Sequence, residues 1–405
     1  MPLPLYLLAV AVFAMGTSEF MLSGLVPDIA TGLKVPVGDA GLLTSAFAVG
    51  MVLGAPLMAV LARRWPARAG LLGFVLVFAA AHVAGALTPS FPVLLSTRVI
   101  AALANAGFLA VALSTATTLV TAARKGRALA VLLSGTTVAT IAGVPGGAVL
   151  GTLLGWRATF WAIALLCLPA AFGIVRGIPD HAEGSTRDDA PAGPSLRTEI
   201  AQLAMPRLVL VMSLGALVNA ATFATFTFLA PIVTGTAGLD ELWVPVALVL
   251  FGTGSFAGVT LAGRLSDRRP GIVIGIGGPA LLLGWTTSAI VAAQPVALLI
   301  LVFVQGALSF AVGSTLIARV LHESAGAPTM GGAYATAALN VGAAGGPAVA
   351  AATLGAGAGD LGPIWVSALL VALAVLTALP LLRVIAPQAG PGREVPDDLD
   401  VRQAY

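Results

Sequence analysis

Twelve stretches of this 405-residue chain are apolar for long enough to cross a lipid bilayer, and this repeated length limits the fold more than any single residue does. A crossing needs about 20 mainly apolar residues in helical form. Inside lipid only helices or closed barrels satisfy every backbone N–H and C=O. The stretches fall at about residues 4–26, 38–61, 70–87, 92–120, 128–152, 157–176, 206–233, 243–263, 271–292, 295–318, 331–355 and 362–385. Charged residues make up 9% of the sequence, against roughly 25% in soluble domains. The expected class is an all-α integral membrane protein with twelve transmembrane helices.

The joints between stretches are short, with one exception. Residues 178–205 hold Asp180, Glu183, Arg187, Asp188, Asp189, Arg197 and Glu199 together with three prolines. This segment reads as a polar linker between an N-terminal six-helix bundle, 1–177, and a C-terminal one, 206–386. The polar tail 387–405 is expected to be disordered. Basic residues gather in alternate joints: Arg63, Arg64 and Arg68; Arg124, Lys125 and Arg127; Arg264, Arg268 and Arg269. By the positive-inside rule those joints, and with them both termini, are cytoplasmic. Eighteen arginines against two lysines suggest a high-GC bacterial genome, hence the bacterial cytoplasmic membrane.

The chain also repeats. Leu25-Val26-Pro27 matches Leu229-Ala230-Pro231, and Leu61-Ala62-Arg63-Arg64 matches Leu265-Ser266-Asp267-Arg268, both 204 residues on. Gly143-Val144-Pro145 matches Gly345-Gly346-Pro347 at 202. Two pseudosymmetric six-span halves in parallel repeat are the plan of the major facilitator fold, with its binding site near the midplane between halves.

Within this apolar background, Glu19 is the one carboxylate placed at membrane depth. A charge there costs at least a few kcal/mol, which marks a functional site. Gly16 and Ser23 share its helical face and predict room for cargo or water. Burial raises a carboxyl pKa and a nearby cation lowers it, so a site alternating between these settings can load and release a proton. Arg98, early in the fourth span, either faces protein as a partner or snorkels to the outer surface. Asn105 follows it on the same face. The repeat puts Phe223 at the place of Glu19 and Val302 at that of Arg98, so both charges belong to one half. Asn219, Gln305, Tyr334 and Asn340 either face a cavity or make packing hydrogen bonds, and Phe223, Phe226 and Phe228 are candidates for an aromatic wall. His82 reads as a satisfied buried histidine.

Span 5 has small residues at every fourth position, Gly135, Ala139, Gly143, Gly147, Gly151 and Gly155, a bare face on which a neighbouring helix can lie closely. Pro145 removes a donor and invites a bend. One cysteine, Cys167, excludes an intrachain disulfide, and His82, His181 and His322 lie too far apart for ligand spacing. No metal, cofactor, nucleic acid or enzymatic triad is expected, and no phosphate loop suggests direct ATP drive.

Several motifs carry a family resemblance. Gly263-Arg264-Leu265-Ser266-Asp267-Arg268 resembles the loop signature of the major facilitator superfamily, whose Asp and Arg latch helix ends; this implies a gating role for Asp267 and Arg268. In the first-half copy Arg63 stands where Asp is usual. Gly143-Val144-Pro145-Gly146-Gly147 resembles the antiporter signature of drug exporters, implying that Gly143, Pro145 and Gly147 take part in the conformational change. Met15-Gly16-Thr17-Ser18-Glu19-Phe20, Ala101-Ala102-Leu103-Ala104-Asn105-Ala106-Gly107-Phe108 and Gly155-Trp156-Arg157-Ala158-Thr159-Phe160-Trp161 are similar to twelve-span drug:proton antiporters, especially the chloramphenicol efflux proteins of actinobacteria. The resemblance implies a proton-driven exporter of phenicols. Read from the residues, a small amphipathic drug leaves as protons enter, with Glu19 as the proton carrier and Arg98 as its electrostatic partner; Asn105, Phe223, Asn219 and Asn340 are the candidate substrate contacts, and one chain holding both halves suffices as a monomer. Exporters of sugars or purines share this first span, and a nutrient importer shares the fold.

Overall fold

The computed structural model describes residues 1–61, 65–121, 124–178, 195–327, 330–356 and 359–385. The polar tail, most of the linker, and Arg63 and Arg64 therefore lie outside the described residues. The helices are α1 (Leu3–Phe20), α2 (Val26–Leu33), α3 (Val37–Leu61), α4 (Ala67–Leu87), α5 (Phe91–Thr118), α6 (Lys125–Val138), α7 (Val144–Leu154), α8 (Trp156–Gly177), α9 (Leu196–Ala201), α10 (Pro206–Thr227), α11 (Leu229–Pro231), α12 (Trp243–Arg268), α13 (Pro270–Val291), α14 (Pro295–Glu323), α15 (Gly331–Gly355), α16 (Gly362–Ala378) and α17 (Leu382–Ile385). Among the described residues, eleven helical stretches are long and apolar enough to span a membrane, and α16 is a shorter apolar twelfth.

The predicted stretches are recovered, with breaks that local chemistry explains. The first ends at Phe20, passes through a 3₁₀ turn, Met21–Gly24, and restarts as α2 with Pro27 in its first turn, where the missing N–H costs nothing. Its repeat partner breaks within a few residues of the equivalent place, with α10 ending before Phe228 and α11 beginning at Leu229. The fifth crossing is α6 and α7 joined by a π turn, Ala139–Gly143. Pro145 follows that turn, and the wider register absorbs its missing donor. The twelfth stretch was expected to reach residue 385; it stops at Ala378, and Pro380 separates α16 from α17.

The bundle is apolar both inside and out, as lipid requires. On α8, Phe160, Ile163 and Cys167 are buried while Leu165, Leu168 and Phe172 are exposed. The repeat appears directly in the packing. Gly50 and Gly54 of α3 lie on the backbone of α5, and Gly254 and Gly258 of α12 lie on that of α14. Small residues let these backbones approach where no hydrophobic effect pulls helices together.

The halves share surface as well. Phe228 and Ala350 from the second half join the core cluster of the first, and Ala48, Val144 and Ala148 join that of the second. The Ser45 hydroxyl donates to the Ala344 carbonyl across α3 and α15 at 2.7 Å. The linker carries an unforeseen feature. Helix α9 docks on the second half, with the buried Glu199 carboxylate accepting from the Met330 N–H at 2.8 Å and Tyr334 Oη donating to the Glu199 carbonyl at 2.9 Å.

Candidate functional site

Helix α1 is seated by the small-residue face of the fifth crossing. A side chain at Gly135 would strike the Ala9 carbonyl, one at Gly143 would strike Thr17, and Ala139 fills the space beside Gly16. The room predicted at Gly16 is thus occupied by protein. Gly147 lies under Thr159, whose hydroxyl donates to its carbonyl at 2.9 Å, so this part of the ribbon holds α8. The ribbon fixes the rotation of α1, and with it the directions of Ser18, Glu19 and Phe20.

Ser18 is fully buried, whereas Glu19 and Phe20 keep part of their surface accessible. Arg98 reaches α1 from α5. Its Nη1 donates to Ser18 Oγ at 2.8 Å and its Nη2 to the Ser18 carbonyl at 2.7 Å. The guanidinium lies over the Phe47 ring, 4.5 Å from the centroid, a cation–π contact worth about 2 kcal/mol when desolvated. With 1% of its surface exposed, Arg98 does not snorkel. Its hydrogen bonds go to Ser18 and not to Glu19, the next residue along α1. His82 of α4 completes a buried chain: its Nδ1 donates to the Phe78 carbonyl at 2.8 Å, and its Nε2 lies 2.7 Å from Ser18 Oγ.

Phe20, immediately after Glu19, opens on a narrow gap between the halves. The gap is lined by Phe20, Thr140 and Val144 from the first half and Thr222, Phe223, Phe226, Phe251, Ser255 and Phe310 from the second. The Phe20 and Phe223 rings lie 5.8 Å apart, and Phe226 and Phe251 4.5 Å apart. The three hydroxyls bond carbonyls of their own helices and leave oxygen lone pairs for a ligand. Among the described residues no charged side chain lines the gap, so its chemistry suits a neutral aromatic molecule with hydrogen-bonding groups.

The structure brings some predicted residues together and separates others. Phe223 and Phe226 wall the gap, but Phe228 is buried against Gly41. Asn105 is buried, with Nδ2 on the Met51 sulfur at 3.7 Å and Oδ1 unpartnered among the described residues. Asn219 donates to the Leu339 carbonyl at 2.7 Å, tying α10 to α15, and Asn340 donates to Thr336 in its own helix. Gln305 reaches toward α13 and Tyr334 toward α9. Neither asparagine of the second half lines the gap; each bonds a backbone carbonyl. The side chains of Asp267 and Arg268 lie outside the described residues. Sequence reasoning missed Ser18, Phe20, Phe251 and Phe310: a serine or phenylalanine in an apolar helix carries no signal until its neighbours are known.

Comparison with known proteins follows the same lines. The family model of the Major Facilitator Superfamily matches residues 8–336. A "Chloramphenicol resistance protein" of Streptomyces lividans is 70% identical over 389 residues, covering 96% of this chain and 98% of that protein. The "Inner membrane transport protein YdhP" of Escherichia coli K12 is 32% identical over 358 residues, 88% of this chain and 90% of its own. Among solved structures, a bacterial homologue of the human lysosomal transporter Spinster, inward-facing and occupied, superposes with a TM-score of 0.69 over 94% of this chain and 96% of that one, at 18% identity.

Proposed function

The chain belongs to the Major Facilitator Superfamily of membrane transporters, and from that premise we propose that it exports phenicol antibiotics, chloramphenicol among them, in exchange for protons. The observation that carries the cargo assignment is the 70% identity, over nearly the whole length of both chains, to a protein named for chloramphenicol resistance. The aromatic, uncharged gap supports it. A phenicol is a neutral nitro- or sulfonyl-substituted ring with hydroxyl and amide groups, and the gap offers rings and hydroxyl oxygens.

In this reading Glu19 is the proton carrier. It precedes Phe20, which lines the gap, and follows Ser18, to which the Arg98 guanidinium is bonded. A neutral drug and a proton then compete through a shared helix rather than a shared contact. Asn105, with its unpartnered Oδ1, is a second polar group available to cargo or water. The two six-helix halves rock about the midplane. Gly143, Pro145 and Gly147 hold the fifth crossing against α1 and α8 during that motion, and Asp267 and Arg268 latch the loop after α12. The chain works as a monomer with both termini in the cytoplasm.

The test is a susceptibility panel in efflux-deficient cells with and without the gene, covering chloramphenicol, thiamphenicol and florfenicol, with a sugar and a purine analogue beside them. Expression raises the inhibitory concentration of phenicols only. Unchanged phenicol susceptibility with a verified membrane-inserted protein rejects the cargo assignment.

A further inference from the structure

We infer that His82 is a positioning residue: acting through Ser18, it fixes the Arg98 guanidinium beside Glu19. This inference rests on the reading of Glu19 and Arg98 as the proton-coupling pair.

The direction of each hydrogen bond follows from what each atom can do. The Phe78 carbonyl can only accept, so a neutral His82 carries its one ring proton on Nδ1 and leaves Nε2 bare. A bare ring nitrogen can only accept, so at 2.7 Å the Ser18 hydroxyl gives its proton to Nε2. The Ser18 oxygen is then left with lone pairs, and Arg98 Nη1 donates to it at 2.8 Å. The imidazole is held in turn by rings: its centroid lies 4.3 Å from that of Phe78 and 5.7 Å from that of Phe160. Without His82 the Ser18 hydroxyl is free to rotate toward a carbonyl of its own helix, and the guanidinium loses a fixed acceptor.

The second half shows that the fold does not require this chain. At an offset of 204 residues, Ser18, Phe78, His82 and Arg98 become Thr222, Leu282, Thr286 and Val302. Thr286 keeps the bond to the helix carbonyl, donating to Leu282 at 3.1 Å, and Thr222 donates to Val218 in its own helix at 2.9 Å. A bundle of the same plan therefore closes without linking three helices through a buried hydroxyl. The first half carries the link where it also carries the two intramembrane charges. The charged or titratable groups around Ser18 are Glu19 from α1, His82 from α4 and Arg98 from α5; α3 and α8 contribute the Phe47 and Phe160 rings, which do not titrate.

The experiment measures drug–proton exchange against pH in proteoliposomes for wild type, Ser18→Ala, His82→Leu, His82→Asn, His82→Gln and the Ser18→Ala/His82→Leu pair. Thermal melting of each detergent-purified protein confirms folding. The midpoint of the pH profile is expected to move by about one pH unit in Ser18→Ala and His82→Leu alike, with no further movement in the double variant. His82→Gln, whose amide oxygen can accept from Ser18, keeps the wild-type midpoint. His82→Asn keeps the bond to Phe78 but falls short of Ser18, so it moves like His82→Leu and carries the test if His82→Leu does not fold. A wild-type midpoint in folded His82→Leu or His82→Asn, or additive shifts in the double variant, overturns the inference. Glu19→Gln is run in parallel: coupled exchange that survives this change rejects the coupling pair itself, independently of His82.

Discussion

At the scale of single residues, the site separates what a charge does from what an aromatic ring does. Glu19 sits beside the gap and Phe20 inside it, so the two positions are expected to fail differently. Glu19→Gln removes the titrating group but keeps the shape, and it is expected to abolish pH-driven export in proteoliposomes while chloramphenicol still binds. Export that still follows an imposed pH gradient would take Glu19 out of the mechanism. Phe226→Ala removes the ring that faces Phe20, Phe223 and Phe251 at centroid distances of 6.5, 6.0 and 4.5 Å. It is expected to weaken chloramphenicol binding about tenfold, roughly 1.4 kcal/mol, by the usual worth of aromatic contacts, and to leave the pH profile of export in place. Calorimetric titration of the purified variant decides this. Glu19 was visible in the sequence because an acid at membrane depth is rare. Phe226 was a candidate among many phenylalanines, and Ser18 had no signal at all.

At the scale of elements, helix ends and helix faces carry the argument. The buried Glu199 carboxylate accepts from Met330 at the N-terminus of α15, where the helix dipole favours a negative group. A charge-assisted bond of this kind contributes about 1.5–3 kcal/mol. Glu199→Ala is therefore expected to lower the detergent Tm by a few degrees, at about 1 °C per kcal/mol for a chain of 405 residues. Glu199→Gln, which keeps an acceptor, is expected to lose less. An unchanged melting curve in Glu199→Ala would mean that α9 is not held to the second half by this contact. The sequence showed this segment only as a polar linker, since a six-residue helix has too few positions for a periodic pattern. The small-residue face of the fifth crossing was the opposite case. Its four-residue spacing predicted a bare face, and only its partner, α1, had to come from the structure.

At the scale of the whole molecule, the halves meet along a seam that includes the packing of α3 on α15 and of α2 on α11. Asp28 of α2 and Glu241, before α12, belong to opposite halves and interact through space. Burial, and then the Glu241 charge, raise the Asp28 carboxyl above its ordinary value of 3.8. A carboxyl raised in the folded state binds its proton more tightly there than when unfolded. Stability is then greatest at low pH and is lost as pH rises from about 3.8 through the raised value. The Tm of wild type is accordingly expected to fall more between about pH 4 and pH 7 than that of Asp28→Asn or Glu241→Gln. Parallel Tm–pH curves for the three proteins would show that the two carboxylates do not interact.

The sequence by itself determined the number of crossings, the repeat, the superfamily and the place of Glu19. Each of these rests on a pattern of length, spacing or solvation cost that the chain carries along its own axis. Only the tertiary structure decided which groups meet. Arg98 bonds Ser18 and not Glu19, His82 stands behind that serine, and the gap is walled by phenylalanines from both halves. Apolar helices in lipid look alike on every face, so their rotations are set by which small residues let which backbones approach, and that complementarity is a property of pairs of helices. The intramembrane acid was legible because of what it costs, and its surroundings were not, because in a helix of this composition most neighbours cost nothing.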